Sequence, residues 1–503
     1  MNRILIIASI MIATLMQALD MTIVNVALPH MQGSLSARPD EITWILTSYM
    51  VASAIFMPLT GYFSDVLGQK KYLMISISGF IIASALCGIS TTIKQIVIFR
   101  LLQGIFGASI VPLSQTIMTN LFTNEDRGKA MAIWGVGVMI GPIIGPTLGG
   151  YITELSTWRW NFYINIPIGI LCLLLLWQHL PASPKKNRNI DWRGLILISI
   201  TIGSLQYLLD RGNQLDWFAA TEICIALFLT IVGFLSFLLY NILKTTKNIV
   251  FDLKIFSDHN FSISSILLAI FGVGLFGSMV ILPIMLENLF NYSVITTGLV
   301  MAPRGITTMF SMILTGILIK KIDPRILIFI GITIGASGAY FGTYYNLYLS
   351  PKWIVGPVML QGLGLGMVFV PLSTIAFATL PIALRSEGSG LFSLLRTIGS
   401  SIGISITSTL LIRQTQTAWN QLGGFINPFN PNLVERVLHA NQTTLVDSTQ
   451  ITKLMFSLGQ QAQMQAFVNV YAFITISFLI MIPLIFILKK PSSQKSISIG
   501  ISE

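Results

Sequence analysis

The sequence predicts an all-α polytopic membrane protein with fourteen transmembrane helices, built from two pseudo-symmetric six-helix bundles and two inserted central helices. Three observations predict this fold: the composition, the length of the apolar runs and an internal repeat. Of the 503 residues, 53% are hydrophobic and 10% are charged, whereas a soluble protein has about 25% charged residues. We therefore expect the bilayer to be the main solvent.

The apolar runs favour helices over a β-barrel. They are about 20 residues long, enough for a helix to cross a hydrocarbon core of about 30 Å, and they do not alternate like barrel strands. The first run has the position of a signal peptide, but it is too long, lacks a small-x-small cleavage site and contains Asp20. The predicted spans are residues 4–28, 43–63, 72–92, 96–119, 131–152, 163–180, 194–209, 219–241, 261–284, 297–319, 326–346, 352–378, 390–412 and 466–488.

The distribution of Lys and Arg predicts the orientation. With the N-terminus in the cytoplasm, 19 of the 30 basic residues fall on the cytoplasmic side, 8 on the other side and 3 within spans. This bias follows the positive-inside rule and places both termini in the cytoplasm. It also explains most of the net charge of +11, so the basic composition does not require nucleic acid as a partner.

An internal repeat relates the first six spans to the last six. Five matches occur in order at an offset of 255 to 259 residues. Residues 1–180 are thus predicted to form the N-terminal bundle, 181–260 a linker with the two inserted helices, and 261–503 the C-terminal bundle. The matches are Leu59-Thr60-Gly61 with Leu314-Thr315-Gly316, Asp65 with Asp323, Gln103-Gly104 with Gln361-Gly362, Pro112-Leu113-Ser114 with Pro371-Leu372-Ser373, and Gly141 and Gly145 with Gly399 and Gly403.

Parallel repeated halves are typical of transporters, with the substrate site between the halves near the middle of the membrane. A channel does not require such a repeat. A membrane enzyme is expected to cluster His, Asp or Cys at one face, whereas the three cysteines and four histidines of this chain lie far apart. The sequence therefore predicts a transporter with neither catalytic residues nor a metal site.

Asp20 is the outstanding polar residue within a span, where charge is costly and marks a functional candidate. Burial disfavours the charged carboxylate, so Asp20 is a candidate for binding and releasing a proton. The alternative is a carboxylate permanently paired with a basic residue. Arg100, in the fourth span, is a candidate partner unless it snorkels to the interface. Further candidates for lining a cavity or for coupling are Asn25, Gln103, Arg304 and Gln361.

The turn between spans two and three is a candidate cytoplasmic gate. Gly61 and Gly68 permit a tight turn and a close helix approach. By the symmetry of the halves, span thirteen starts on the same side at about Gly390, and its N-terminal dipole favours a nearby carboxylate. Asp65 is therefore a candidate latch between the halves, with Arg127 a further partner. The alternative is a hydrated turn.

Span five contains a cluster of small residues and two prolines. Gly141 and Gly145 allow close helix packing, whereas Pro142 and Pro146 are expected to kink the helix. Two kinks suit a helix that bends during alternating access, and dense packing alone is the other interpretation.

Residues 413–465 are polar and are predicted to form one long outer loop, either a flexible tether or a docking or lid element.

Four stretches resemble motifs of the major facilitator superfamily. Residues 61–71 resemble its cytoplasmic loop motif and residues 100–104 its fourth-helix motif. Residues 141–146 resemble the antiporter motif of helix five, and residues 19–29 resemble the first-helix motif of fourteen-helix drug:proton antiporters. The family pattern has Arg where this loop has Val66 and Gln69, which predicts a thinner charge network at the gate.

Within this family, the chain is most similar to the inner-membrane subunits of Gram-negative tripartite multidrug pumps, at residues 203–212, 215–218 and 427–431. The resemblance implies proton-coupled export of hydrophobic drugs across the cell inner membrane, with a periplasmic membrane-fusion adaptor and an outer-membrane channel as partners. It implies no cofactor beyond the proton gradient. It also implies that Asp20 and Arg100 carry the proton step and Asp65 the gate. A dedicated exporter of one endogenous product, such as a siderophore or fatty acid, is the alternative.

Overall fold

The computed structural model describes residues 3–123, 126–183, 185, 191–243, 253–426, 430 and 448–489. Within these residues, fourteen helices are long and apolar enough to cross a membrane, as the sequence predicts. They are α1 Arg3–Ser34, α2 Trp44–Leu67, α3 Gln69–Ile89, α4 Ile93–Leu121, α5 Arg127–Leu155, α6 Trp160–His179, α7 Trp192–Arg211, α8 Thr221–Leu243, α9 His259–Leu289, α10 Ile295–Leu318, α11 Pro324–Tyr344, α12 Pro351–Ala378, α13 Arg385–Gly423 and α14 Thr452–Ile485.

The ends of these helices follow from local chemistry. Thr92, Asp258, Ser293 and Asp323 each accept a hydrogen bond from a backbone N–H of the helix that they precede, which satisfies a donor that would otherwise be unpaired. Gly68 separates α2 from α3 with a φ of 82°, a conformation that glycine adopts without a steric penalty.

The two faces of the bundle differ in which ends of the helices lie on them. Because the number of spans is even, α1 begins and α14 ends on the same face, which we call the terminal face; the other is the opposite face. The α2–α3 turn at Gly68 and the start of α13 at Arg385 lie on the terminal face. The start of α2 and the end of α7 lie on the opposite face.

The predicted outer loop at residues 413–465 is shorter than expected. Helix α13 continues to Gly423, and the helix that contains α14 begins at Ser448. The prediction was wrong at both ends because it counted apolar residues, whereas Gln, Thr and Asn extend a helix beyond the hydrocarbon region without strong cost. Residues 427–429 and 431–447 lie outside the described residues, so the choice between tether and docking element stays open.

The same pairs of helices pack in both halves. In the first half α1 packs on α5 and α6, α4 packs on α2 and α3, and α3 packs on α6. In the second half α9 packs on α13 and α14, α12 packs on α10 and α11, and α11 packs on α14. This is the arrangement expected of two copies of one bundle, and α5 and α10 form a long contact between them.

The inserted helices lie on one side of the bundle. Helix α7 packs on α2 of the first half and on α13 of the second half, whereas α8 packs mainly on α7. Gln206 donates to the Ser401 hydroxyl of α13 at 2.7 Å, and Arg211 donates to the Thr43 hydroxyl, just before α2, at 2.9 Å. Helix α8 exposes large apolar side chains such as Phe228 and Leu239, as expected of a surface that faces lipid.

Candidate functional site

Asp20 lies at the centre of a buried polar cluster in the first half. Its Oδ2 forms an ion pair with Arg100 Nη1 at 2.7 Å. Its Oδ1 accepts hydrogen bonds from Gln103 Nε2 at 2.8 Å and from Asn165 Nδ2 at 2.9 Å. Asp20 has 0% and Arg100 1% of its surface exposed. The structure thus brings together Asp20, Arg100 and Gln103 from α1 and α4, and adds Asn165 from α6.

A second layer of residues holds this cluster in place. The Ser84 hydroxyl on α3 accepts from Gln103 at 3.2 Å and from Asn165 at 3.0 Å. Arg100 Nε donates to the carbonyl of Ile45 at 3.1 Å, and its guanidinium lies 4.3 Å from the centre of the Tyr49 ring, within the range of a cation–π interaction. Arg100 therefore does not snorkel to the interface.

The geometry makes the charge of Asp20 the main counter-charge of Arg100. A buried ion pair is tolerated because each charge offsets the other, and removing one partner leaves the other uncompensated at a cost of about 3–5 kcal/mol. Without the Asp20 carboxylate, Arg100 would keep the Ile45 carbonyl, the Gln103 Oε1 at 2.7 Å and the rings of Tyr49 and Phe162.

The glycines of span five pack directly against the helix that carries Asp20. A Cβ added to Gly141 would lie 2.5 Å from Ala18, and one added to Gly149 would lie 2.6 Å from the carbonyl oxygen of Ile23. A Cβ added to Gly145 would likewise collide with the Thr22 side chain. The Thr22 hydroxyl donates to the Gly141 carbonyl at 3.2 Å. Helices α5 and α1 therefore pack almost backbone to backbone along this stretch.

The two predicted kink sites lie in an unbroken helix. Helix α5 runs from Arg127 to Leu155 through both Pro142 and Pro146. Each proline lacks the N–H that would bond to the carbonyl four residues earlier, so the hydrogen-bonding ladder of α5 is weakened at two successive turns. The prolines thus lie beside the glycines that contact α1.

The two halves meet at the terminal face through the start of α13. A Cβ added to Gly61 of α2 would lie 2.6 Å from the Cα of Glu387, and one added to Gly390 would lie 2.7 Å from the carbonyl oxygen of Met57. The hydroxyl of Ser386 accepts from Gln69 Nε2 at 3.1 Å. We call this contact between α2 and the start of α13 the terminal seam.

Further polar contacts extend the terminal seam. The hydroxyls of Thr116 and Ser389 lie 2.7 Å apart, and Arg385 donates to Asn120 Oδ1 at 3.1 Å. Arg127 is buried and donates to the carbonyl of Phe377 at 3.3 Å. Beside it, the Asp126 carboxylate accepts from Lys320 Nζ at 2.6 Å. These contacts all join the first half to the second.

One expectation about this seam needs adjustment. Helix α13 begins at Arg385, five residues before the expected Gly390, because its first turn is polar and gave no apolar signal. Asp65 is half-buried on the last turn of α2, one residue after Ser64, whose hydroxyl lies 3.4 Å from that of Ser386. Asp65 thus follows by one residue a contact with the N-terminal turn of α13, and its role as a latch stays a prediction.

The remaining candidates lie apart from the Asp20 cluster. Asn25 is exposed on α1, and Gln361 is buried on α12 against Gly338 of α11. Arg304 is buried on α10, where it donates to the Ser278 hydroxyl at 2.8 Å. Arg304 has no ion pair with a carboxylate among the residues that the structure describes.

The repeat explains this difference between the halves. Ser278 and Gln361 are each 258 residues after Asp20 and Gln103, so the second half keeps the glutamine and has a serine where the first half has the carboxylate. The charged pair is thus specific to the first half.

Asn165 and Ser84 were missed because a single polar residue in an apolar run does not show which way it faces; their only signal is their polarity.

Comparison with known proteins identifies relatives along most of the chain. The model of the Major Facilitator Superfamily matches residues 10–404. The multidrug export protein EmrB of Haemophilus influenzae is 33% identical over 468 residues, which cover 92% of this chain and 91% of that protein. The fatty acid resistance protein FarB of Neisseria gonorrhoeae is 33% identical over 485 residues, which cover 96% of this chain and 95% of that protein.

Solved structures show the same fold at low identity. The human organic anion transporter MFSD10 is 13% identical with a TM-score of 0.61, and the match covers 95% of this chain and 100% of that chain. The proton:xylose symporter XylE is 15% identical with a TM-score of 0.59, and the match covers 94% of each chain. At these identities the likeness concerns the fold alone.

Proposed function

Because the chain belongs to the major facilitator superfamily, we propose that it is a proton-coupled antiporter that exports hydrophobic drugs or toxic compounds by alternating access. Relatives named for multidrug export and for fatty acid resistance support export as the direction. The Lys and Arg bias supports a cytoplasmic terminal face, and we place the protein in the cell inner membrane.

The observation that carries the proposal is the ion pair of Asp20 with Arg100, buried inside the membrane-spanning bundle. A charge in this position is costly, which makes the residues that carry it functional candidates. Asp20 is the proton carrier in this proposal, and Arg100 is the positive charge that faces its carboxylate. No residue acts as a catalyst, and the proton gradient supplies the energy.

The cycle follows from the contacts around the pair. Protonation of Asp20 releases Arg100, which changes the packing of α1 and α4. Because the glycines of α5 touch α1 at Ala18 and Ile23, the change passes to α5, which also contacts α10 of the second half. In this way one proton would bias the terminal seam between closed and open states, in which the cavity faces opposite sides of the membrane.

Efflux in everted membrane vesicles tests the proposal. A proton gradient should drive uptake of a hydrophobic dye by the wild-type protein, and Asp20→Asn should abolish gradient-driven uptake at unchanged expression. Asp216→Asn is the matched control, because it makes the same chemical change at an exposed turn where Asn also tolerates the positive φ of 56°. Full gradient-driven uptake by Asp20→Asn would refute the assignment of the proton site.

A dedicated exporter of one endogenous product is the second candidate. It is favoured by the relative FarB, whose name refers to fatty acid resistance and whose match covers 96% of this chain. A panel of dyes, antibiotics, fatty acids and siderophores in the same vesicles separates the two candidates. Transport of several unrelated compounds supports the multidrug exporter, and transport of one chemical class supports the dedicated exporter.

We further propose that the protein works with a periplasmic membrane-fusion adaptor and an outer-membrane channel. The stretch 424–447 between α13 and α14 is the candidate docking element. Replacing residues 427–447 by a Gly-Ser linker of equal length preserves both helical extensions and should abolish capture of the adaptor while vesicle transport persists. The control is a variant in which residues 213–216, between α7 and α8, are replaced by a Gly-Ser linker of equal length. Unchanged adaptor capture would contradict the docking role.

A further inference from the structure

A groove of about 680 Å³ runs along the outside of α3 at the terminal face. Lys70, Lys71 and Lys185 line its end at the membrane surface, and Ile75, Ile82 and Phe106 line its inner part. Its volume lies within the range of about 300–1,000 Å³ that is usual for ligand pockets. The groove lies on the outer side of the bundle, away from the Asp20 cluster, and its end at Leu67 and Gly68 adjoins Gln69 of the terminal seam.

The length of the groove matches one leaflet of a bilayer. From Lys71 to Ile82 along α3 the distance is about 16 Å at 1.5 Å per residue. Half of a hydrocarbon core of about 30 Å is about 15 Å. Ile75 is 39% and Ile82 62% exposed, and Gly79 leaves space for the Phe106 ring on the floor of the groove. The inner part therefore has the length and apolar character that suit an acyl chain.

The charged end lies at the level of a lipid headgroup. Lys70 Nζ donates to the carbonyl of Trp177 at 2.8 Å, and the Trp177 side chain is 65% exposed near the end of α6, the position of an interfacial aromatic residue. Lys71 and Lys185 are exposed. None of the described residues that line the groove is acidic, so no carboxylate among them competes for the ammonium groups of Lys71 and Lys185.

From these observations we infer that the groove binds an anionic phospholipid, with its phosphate between Lys71 and Lys185 and one acyl chain along Ile75, Ile82 and Phe106. Charge complementarity selects an anionic headgroup over a zwitterionic one, since each Lys near an anionic headgroup contributes favourably to binding. The apolar floor selects a lipid over a free anion. The inference does not depend on the proposed transport function.

Native mass spectrometry of the purified full-length protein tests this inference. Titration with phosphatidylglycerol should give a retained lipid, and phosphatidylethanolamine with the same acyl chains should bind about tenfold more weakly. Lys71→Gln/Lys185→Gln should weaken phosphatidylglycerol binding by about 10- to 30-fold. Lys94→Gln/Lys352→Gln removes two exposed lysines from the opposite face and should leave binding unchanged.

A second variant separates the groove from general surface charge. Ser78 lines the middle of the groove and is half-buried, so Ser78→Trp should fill the apolar part and weaken lipid binding without changing the charge. Equal binding of phosphatidylethanolamine, equal loss in the opposite-face control, or full binding by Ser78→Trp would each overturn the inference. So would competition by inorganic phosphate alone, or tighter binding of a free fatty acid than of phosphatidylglycerol.

Discussion

At the scale of single residues, the charges of Asp20 and Arg100 depend on each other. Asp20 accepts from three side chains on two other helices, and Arg100 donates to Asp20, Gln103 and the Ile45 carbonyl. A lysine at position 100 would have one nitrogen in place of the separate Nε and Nη1 donors, so it could not make this set of bonds. The site therefore requires an arginine.

Removal of Arg100 should destabilise the protein through the charge left on Asp20. We expect Arg100→Gln to cost about 3–5 kcal/mol, measured as the free energy of unfolding in detergent. Asp20→Asn/Arg100→Gln removes both charges and should recover much of that loss. A double variant no more stable than Arg100→Gln would show that the pair does not carry the energetic coupling.

The sequence predicted part of this site. A lone Asp and a lone Arg inside apolar runs are visible because charge is rare in a membrane span. Asn165 and Ser84 could not be identified, since their roles depend on how α6 and α3 are rotated and a uniformly apolar helix has no periodicity that shows its buried face. The pairing of Asp20 with Arg100 also needed the contact between α1, α4 and α6.

At the scale of helices, the positions of the spans were predictable and their ends were not. Apolar runs located all fourteen helices because the hydrocarbon core imposes a length of about 20 residues. Helix α13 extends to Gly423, and its start at Arg385 lies outside any apolar run, because polar residues at the end of a helix leave no hydropathic signal. The start of α13 is the part that forms the terminal seam.

The close contact of α2 with α13 predicts the effect of one added methyl group. In Gly61→Ala the new Cβ would lie 2.6 Å from the backbone of Glu387, so the terminal seam must widen. We expect faster thiol labelling of a Thr116→Cys reporter in a cysteine-free background. Gly33→Ala is the control, since a Cβ there meets nothing within 4 Å. Unchanged labelling in Gly61→Ala would show that the seam tolerates the methyl group.

At the scale of the whole molecule, an ion pair on the surface links the halves. Asp126 lies between α4 and α5, and Lys320 follows α10. The hydrogen bond from Lys320 lowers the pKa of the Asp126 carboxyl below its ordinary value. A lowered pKa means that the pair stabilises the joined state above the ordinary carboxyl pKa of about 3.9, and that this contribution is lost as the pH falls through the lowered value.

Asp126→Asn should therefore favour separation of the halves to the same extent at pH 6 and pH 8. Thiol labelling of Thr116→Cys at the two pH values measures this effect. Both partners are exposed, so high salt should reduce the difference between wild type and Asp126→Asn by screening. An effect that changes between pH 6 and pH 8 would show that Asp126 titrates in the working range and would make it a second proton site.

The position of α7 has a geometric consequence for how the molecule opens. Its bonds to both halves lie in the part nearer the opposite face, where Arg211 reaches Thr43 and Gln206 reaches Ser401. Trp217, in the connection from α7 to α8, adds a bond to Thr409 at 3.1 Å. If two halves stay joined along one edge, they can separate only by rotating about that edge. The gap between them then increases with distance from the joined edge. If these bonds persist in the proposed transport cycle, the opening on the opposite face is a wedge that is narrow beside α7 and widest on the side of the bundle away from α7. We expect bulky substrates to leave through that wide side.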